Sequence, residues 1–417
     1  MIRNRLIVCI ASCWDYDPTS KHHLMRILSR ENKVLWINYH GTRRPGISRW
    51  DARDCISAVL RVAQGLRQVT TGLWQLTPLV IPGTTGPLLG KIHQRLLIEQ
   101  IDRAKGVLDP QRSMPVQIWT FAPDVHFLGG ALGEERFVYY CVDEYTKFQG
   151  FDSAVMAELE AKLLRRADVV IATSKPLCEA KRKIRAGVEL VPHGVDYEHF
   201  ASAWRKPLPA PPDMREIPRP IFGFFGLIHH WFDVELLARV ASLRPHYSFV
   251  LIGDCKIDSG LLSGLPNVHL LGRKDYATLP AYCATFSAGL LPFVRNEMTQ
   301  CINPIKLTEY LAAGLPVIST AIPAAEEFGG QVAIARTAEE FARYCDAALK
   351  YAAADRAKIS ERVRAHTWEA RVETVSQLVS HSVRSAARAE IEPKPVDAPV
   401  RSGYGQTLKR LVIHPAG

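Results

Sequence analysis

Short apolar blocks alternate with segments of helical spacing along most of the chain. In the first half, Leu6 to Ala11, Lys33 to Asn38, Leu73 to Val80, Val116 to Phe121, Phe137 to Val142 and Asp168 to Thr173 read as buried strands. Between them, Ser20 to Ser29 (with Ser20 as cap), Pro87 to Lys105, Asp152 to Arg166 and Pro176 to Ala186 read as helices. The alternation restarts at Ile221. Ile221 to Phe225, Ser248 to Ile252, Val268 to Leu271, Ser287 to Leu291 and Pro316 to Thr320 are the second set of strands. Phe232 to Leu243, Ala277 to Ala284, Pro304 to Ala313 and Ala338 to Tyr351 are its helices. Near-continuous apolar strands alternating with helices predict parallel sheets covered on both faces.

Six prolines crowd 204–220, at positions 207, 209, 211, 212, 218 and 220, and exclude a helix or a central strand there. The predicted organisation is therefore two tandem, doubly wound, Rossmann-like α/β domains, 1–204 and 221–358, joined by a linker at 205–220. A helical stretch at 359–387 and a loose polar tail at 388–417 follow. Ligands of such sheets bind beyond the carboxyl ends of strands, so two facing domains would line a cleft with strand-end loops.

The segment 303–320 concentrates the chemistry. Asn303 is read as a helix cap and Pro304 as the first helical residue. Leu307, Tyr310 and Leu311 form an apolar face, Lys306 and Glu309 share the other face, and Gly314 stops the helix before the strand at Pro316 to Ile318. A positive helix N-terminus beside an ammonium, with a carboxylate one turn along, suits a nucleotide diphosphate and its ribose. An ordinary surface helix with a solvated Lys/Glu pair has the same spacing.

The run Pro304-x-Lys306-x-x-Glu309-Tyr310-x-Ala312-x-Gly314-x-Pro316-Val317 resembles the donor-site signature of GT-B glycosyltransferases, close to the bacterial exopolysaccharide and teichuronic-acid-type group. Two more segments carry the resemblance. Val191-Pro192-His193-Gly194-Val195-Asp196 is similar to the turn before the domain crossover, with His193 and Gly194 at the hinge. Phe222 to Asp233 is similar to the first strand and glycine loop of the nucleotide domain. There Gly226 would let backbone amides approach a phosphate, and His229 and His230 stand where many members carry Arg or Lys. The resemblance implies two Rossmann-like domains and transfer of a sugar from a nucleotide diphosphate to a hydroxyl of a saccharide or lipid-linked saccharide. Gly226, His229, Asn303, Lys306 and Glu309 would hold the donor. No metal or other cofactor is expected, because Lys306 and the helix dipole take the charge role.

Inverting members use a carboxylate of the first domain as general base. Asp143, just past the strand ending at Val142, is the choice; Glu144, Asp124, Asp15 and Asp17 compete with it. Retaining relatives carry two glutamates eight positions apart. Glu309 would be the second, but position 301 is Cys301, and Glu297 has the wrong spacing. That favours inversion without settling it. His22 and His23, at the first helix, could touch an acceptor or simply be partly buried. A nucleotide-sugar epimerase and a non-catalytic nucleotide-sugar-binding scaffold are the alternatives.

Composition adds three constraints. No apolar run approaches the ~20 residues of a membrane span, and the six-residue run after the basic N-terminus reads as a strand rather than a signal peptide. Nine cysteines without a Cys-x-x-Cys favour reduced core thiols in a cytoplasmic protein. The net charge of +10 is concentrated in arginines from 43 to 67 and in Lys175, Lys181, Arg182, Lys183 and Arg185. Residues 47–69 could form a basic amphipathic helix docking on the anionic inner face of a membrane, or pack on the first sheet. Aromatics are not interleaved with these charges, so nucleic acid is not an expected partner.

Overall fold

The computed structural model describes residues 1–39, 60–79, 87–148 and 152–382. The chain divides into two units, 1–191 with 372–417, and 192–371. The crossing at 191/192 comes before the proline-rich stretch, so 205–220 belongs to the second unit instead of joining the two. This stretch packs within that unit: Met214 is buried in its core and the Tyr282 hydroxyl donates to Asp213 at 3.0 Å.

The first unit is built on an eight-stranded sheet. Its strands are β1 (Leu6–Ala11), β2 (Lys33–Asn38), β3 (Arg67–Thr70), β4 (Leu73–Leu76), β5 (Val116–Thr120), β6 (Arg136–Cys141), β7 (Val169–Ala172) and β8 (Val188–Leu190). The order is β3-β4-β2-β1-β5-β6-β7-β8, parallel throughout except for the β3/β4 pair. Helices α1 (Ser20–Leu28), α2 (Pro87–Leu108), α3 (Ser153–Arg166) and α4 (Lys175–Arg182) connect the strands. β1, β5, β6 and β7 are buried almost throughout, as a sheet covered on both faces requires.

The second unit holds α5 (Tyr197–Arg205), β9 (Ile221–Phe225), α6 (Val234–Leu243), β10 (Ser248–Ile252), α7 (Gly260–Ser263), β11 (Val268–Gly272), α8 (Leu279–Thr285), β12 (Ala288–Leu291), α9 (Ile305–Ala312), β13 (Val317–Thr320), α10 (Pro323–Glu326), β14 (Val332–Ala335), α11 (Ala338–Ala348) and α12 (Ala353–Glu361). Its sheet is wholly parallel in the order β11-β10-β9-β12-β13-β14, the dinucleotide-fold order with its reversal between β9 and β12. A last helix, α13 (Trp368–His381), starts in this unit and finishes in the first, where the Arg136 guanidinium donates to the Val379 carbonyl at 3.3 Å and the Ser382 carbonyl at 2.8 Å.

Two expectations change. The helical stretch at 359–387 is two helices, because Val195 pairs with Thr367 and the Thr367 hydroxyl accepts the Ala370 amide to start a new helix; residues 383–387 and the tail lie outside the described residues. The basic helix at 47–69 falls mostly outside them as well, and Arg67–Thr70 is strand β3. Among the described residues, no helix is long and apolar enough to cross a membrane.

Part of the second basic cluster is engaged within the unit, although Lys175, Arg182 and Lys183 stay exposed. Arg185 donates to the Leu164, Ala167 and Asp168 carbonyls, closing the C-terminus of α3, and Arg182 donates twice to the Val188 carbonyl. Lys181 is buried and bridges Glu160 at 2.7 Å and Glu144 at 2.8 Å, while the Tyr139 hydroxyl donates to Glu160 at 2.7 Å. Burial works against the Lys181 charge, but the surrounding anions outweigh it and raise its pKa. Removing the cation leaves two buried carboxylates. Lys181→Met should cost about 3–5 kcal/mol in urea unfolding at neutral pH, whereas Lys183→Met, on the exposed side of the same segment, should stay within about 0.5 kcal/mol.

Candidate functional site

In the second unit, the reversal point of the sheet brings together the loop after β9 and the start of α9, the helix that follows β12. Gly226 ends β9 with φ at +124°, a region an L side chain rarely adopts. A Cβ built there would lie 1.9 Å from Cε and 2.5 Å from Nζ of Lys306. The lysine side chain therefore lies directly along the glycine backbone, and its Nζ stands 5.9 Å from the centre of the Phe224 ring. A second glycine makes room behind the first: Gly253, beyond β10, has φ at +139°, and a Cβ on it would meet the Gly226 carbonyl at 2.1 Å.

Helix α9 is held in place by its apolar face. Leu307, Tyr310 and Leu311 are buried, the Tyr310 ring lies against Gly289 of β12, and the Phe225 amide donates to the Tyr310 hydroxyl at 2.9 Å. The helix begins one residue later than its sequence suggests. Pro304, at φ −70° and ψ 116°, occupies the cap position and Ile305 the first helical one, so Asn303 lies outside the helix and the cap residue itself makes no side-chain hydrogen bond. An extended φ/ψ at Pro304 is the geometry a cap residue adopts. The Lys306 ammonium, on the first turn of α9 and so at the positive end of its dipole, lies against the backbone of Gly226. Such an arrangement binds anions.

Glu309 departs from the expected solvated pair. It is only 5% exposed, and burial pushes its pKa up to about 7. Lys306 and a hydrogen bond from Tyr276 act in the opposite direction, while Asp196 adds to the rise. Tyr276 is fixed by stacking on His199, ring centres 4.8 Å apart at 17°, with the His199 Nε2 bonded to its carbonyl at 3.0 Å. Asp196 caps α5 through the His199 amide. No local sequence signal ties Tyr276 or Asp196 to this carboxyl; they act on it through the packing of the unit.

His193 and Gly194 open the second unit. Gly194 packs flat against Trp368, where a Cβ would come within 2.8 Å of backbone and ring atoms, and the His193 carbonyl accepts from Arg371 at 3.4 Å. This glycine is thus required by packing. His229 lies in the loop after β9, its ring stacked on Trp231 at 4.8 Å and 21°.

In the first unit, Asp143 follows the carboxyl end of β6. It is half-buried; burial raises its pKa and the ammonium of Lys21, at the start of α1, opposes that rise. Lys21 carried no motif, and only the fold brings α1 to β6. The competing acids are engaged elsewhere: Glu144 with Lys181 at 2.8 Å, Asp124 with the Tyr39 hydroxyl at 3.2 Å, and Asp15 with Arg67 at 3.4 Å. Asp17 is exposed. His22 is a structural residue. Its Nδ1 accepts the Thr19 amide at 3.1 Å, its Nε2 donates to the Trp14 carbonyl at 3.1 Å, and burial drives its pKa down to about 3. His23 is buried too.

Residues 219–351 match the family model described as Glycosyl transferases group 1. A curated relative, the putative teichuronic acid biosynthesis glycosyltransferase TuaH of Bacillus subtilis, is 27% identical over 222 residues, 49% of this chain and 55% of that protein. The chain thus spans about half the length of the curated relative it matches. Sucrose-phosphate synthase from Thermosynechococcus elongatus superposes with a TM-score of 0.61 at 17% identity, over 90% of this chain and 98% of that one. Anabaena Alr3699/HepE in complex with UDP-glucose superposes at 0.63 and 14% identity, over 90% and 99%. The structural likenesses establish the two-domain Rossmann-like GT-B fold, and the stretch similar to the glycosyl transferases group 1 model includes 303–320.

The buried carboxyl of Glu309 links stability to pH. Its folded pKa lies above its unfolded one, so its contribution is full below the ordinary glutamate range and is lost as pH rises through about 7. Glu309→Gln should therefore gain in Tm relative to the parent between pH 5 and pH 8. Parallel Tm curves across that range would contradict the assignment.

Proposed function

We propose that this chain is a glycosyltransferase that moves a sugar from a nucleotide diphosphate to a hydroxyl of a saccharide, free or lipid-linked, in the synthesis of a bacterial surface polysaccharide. The observation that carries the reading is the Lys306 side chain laid along Gly226 at the start of α9. The family match over 219–351 covers this same face.

In this reading the diphosphate lies over Gly226, between the first-turn amides of α9 and Lys306, and Glu309 accepts from the ribose hydroxyls. His229 and Asn303 complete the donor's surroundings, with His193 and Gly194 where the chain passes between units. Asp143 is the base. It takes the proton of the acceptor hydroxyl as that oxygen bonds to the anomeric carbon and the bond to the diphosphate oxygen breaks. The charge growing on the departing diphosphate is met by fixed amides and an ammonium, which need no reorganisation at the moment of transfer. The Lys21 ammonium favours the ionised form of Asp143. Cys301 stands where a retaining enzyme would carry its first glutamate, which supports inversion. The charge roles are filled without a metal, so the reaction should proceed in EDTA.

The test begins with a thermal-shift panel of UDP, GDP, ADP and dTDP on the full chain. One of them should raise Tm, since a ligand of the folded state stabilises it. Lys306→Ala should weaken that nucleotide at least about tenfold, as expected for loss of a charge-assisted contact. Asp143→Asn should keep nucleotide binding and lose transfer from the matching nucleotide sugar. A panel without any shift, or a Lys306→Ala variant that binds like the parent, would refute the reading. Nucleotide binding with no transfer to any saccharide would favour the scaffold.

A further inference from the structure

A series of aromatic rings holds Tyr276 to α9. Helix α5 packs against α9, and Phe200 on α5 stacks on Phe225 of β9 with ring centres 5.8 Å apart at 8°. Phe225 in turn makes an edge-on contact, at 4.8 Å and 68°, with Tyr310, the residue after Glu309. Tyr276 joins from the loop after β11. Its ring lies edge-on to Phe200 at 5.7 Å and 84° and stacks on His199 at 4.8 Å and 17°. The His199 Nε2 meets the Tyr276 carbonyl at 3.0 Å; a carbonyl only accepts, so the imidazole donates and ties down the backbone as well as the ring. The same loop is anchored two residues earlier, where Lys274 pairs with Asp213 at 2.8 Å. With the ring so fixed, the hydroxyl donates to the carboxyl of Glu309.

Glu309 is purely an acceptor only while ionised; once protonated, one of its oxygens carries an O–H. Lys306 on its own helix and Tyr276 favour the ionised form, and Asp196 ahead of α5 opposes it. Cys283 on α8 and Tyr310 also interact with its charge, and burial holds the pKa of each above its ordinary range, so neither changes charge between pH 5 and pH 9.

We propose that Tyr276 is a positioning residue: by donating to one oxygen of Glu309 it fixes the orientation of the carboxylate and leaves the other oxygen to accept from a ribose hydroxyl of the nucleotide. The ligand part rests on the donor-face reading above; the bond from hydroxyl to carboxylate does not.

Two measurements on the full chain test this, and the first needs no ligand. Folded Glu309 keeps its proton at pH values where the unfolded chain has lost it. The Tm advantage of Glu309→Gln therefore grows from the ordinary glutamate range upward and levels off at the folded pKa, about 7. Tyr276→Phe keeps the ring and removes only the hydroxyl, so the carboxylate loses a donor. In that background the advantage of Glu309→Gln should level off about one pH unit higher, the effect of one charge-assisted hydrogen bond. Each comparison is made within its own background, so any general loss of stability from Tyr276→Phe cancels. A levelling point that stays where it was would overturn the proposal.

The second measurement is calorimetric titration with UDP, GDP and ADP at pH 7 and pH 9. The nucleotide that binds the parent should bind Tyr276→Phe about fivefold more weakly at pH 7, where fewer of the variant's carboxyls are ionised. At pH 9, where nearly all are ionised in both proteins, the two should agree within about twofold. A loss of equal size at both pH values would show a ring that only packs, and the proposal would fall. A levelling point that moves in a variant that still binds the nucleotide like the parent at pH 7 would refute the ligand part. Failure of the parent to bind any of the three, with the levelling point moved as expected, would instead overturn the donor-face reading and the ligand part with it.

Discussion

The close approach of Lys306 to Gly226 is the constraint on which the second unit is organised. An ammonium stem can lie on a backbone only where no Cβ intervenes, and a φ of +124° at a strand end is tolerable only for glycine. Those two demands coincide at one residue. The rest of the neighbourhood supports the contact: Gly253 lets the next strand end close in behind, Tyr310 fixes the helix against β9 and β12, and Pro304 sets the extended geometry from which the helix starts. Each is an ordinary packing feature, and together they hold the Lys306 ammonium against the Gly226 backbone at the start of α9.

The burial of Glu309 shows the cost of that arrangement. A carboxyl one turn from Lys306 would be an unremarked surface pair on an isolated helix. Packed beside α5 and Tyr276 it loses its water, and the proton affinity rises accordingly. A group held in such a state is sensitive to whatever donates to it, whether a tyrosine, an ammonium or a sugar hydroxyl. The first unit uses a different solution at β6, where two carboxylates share one buried lysine and the neighbouring Asp143 is left half-buried beside Lys21.

The sequence made the fold class legible because parallel strands covered on both faces are short, apolar and regularly spaced, as Phe222 to Phe225 and Val169 to Ala172 illustrate. It also made the helix at 303–320 legible, since proline, glycine and the apolar stripe are local signals. What it missed depends on contacts between distant segments. Tyr276 and Asp196 reach Glu309 from elsewhere in the unit, and Lys21 reaches Asp143 across the sheet. The proline-rich stretch misled because proline reports only what a segment cannot be; 205–220 is irregular, yet it lies against the core through Met214. The basic run near Lys181 misled similarly: a charge count does not show that Arg185 and Arg182 spend their donors on carbonyls.

Helix α13 has a consequence for how the molecule comes into being. The first unit is discontinuous in sequence, because its last piece, beginning at Val372, is docked through Arg136 and an ion pair between the N-terminal amine of Met1 and Glu373 at 3.0 Å. During synthesis the ribosome releases Val372 only after the whole second unit has emerged. The earlier-made unit is therefore the later one to be finished, since the helix that completes it is translated after every strand of the second.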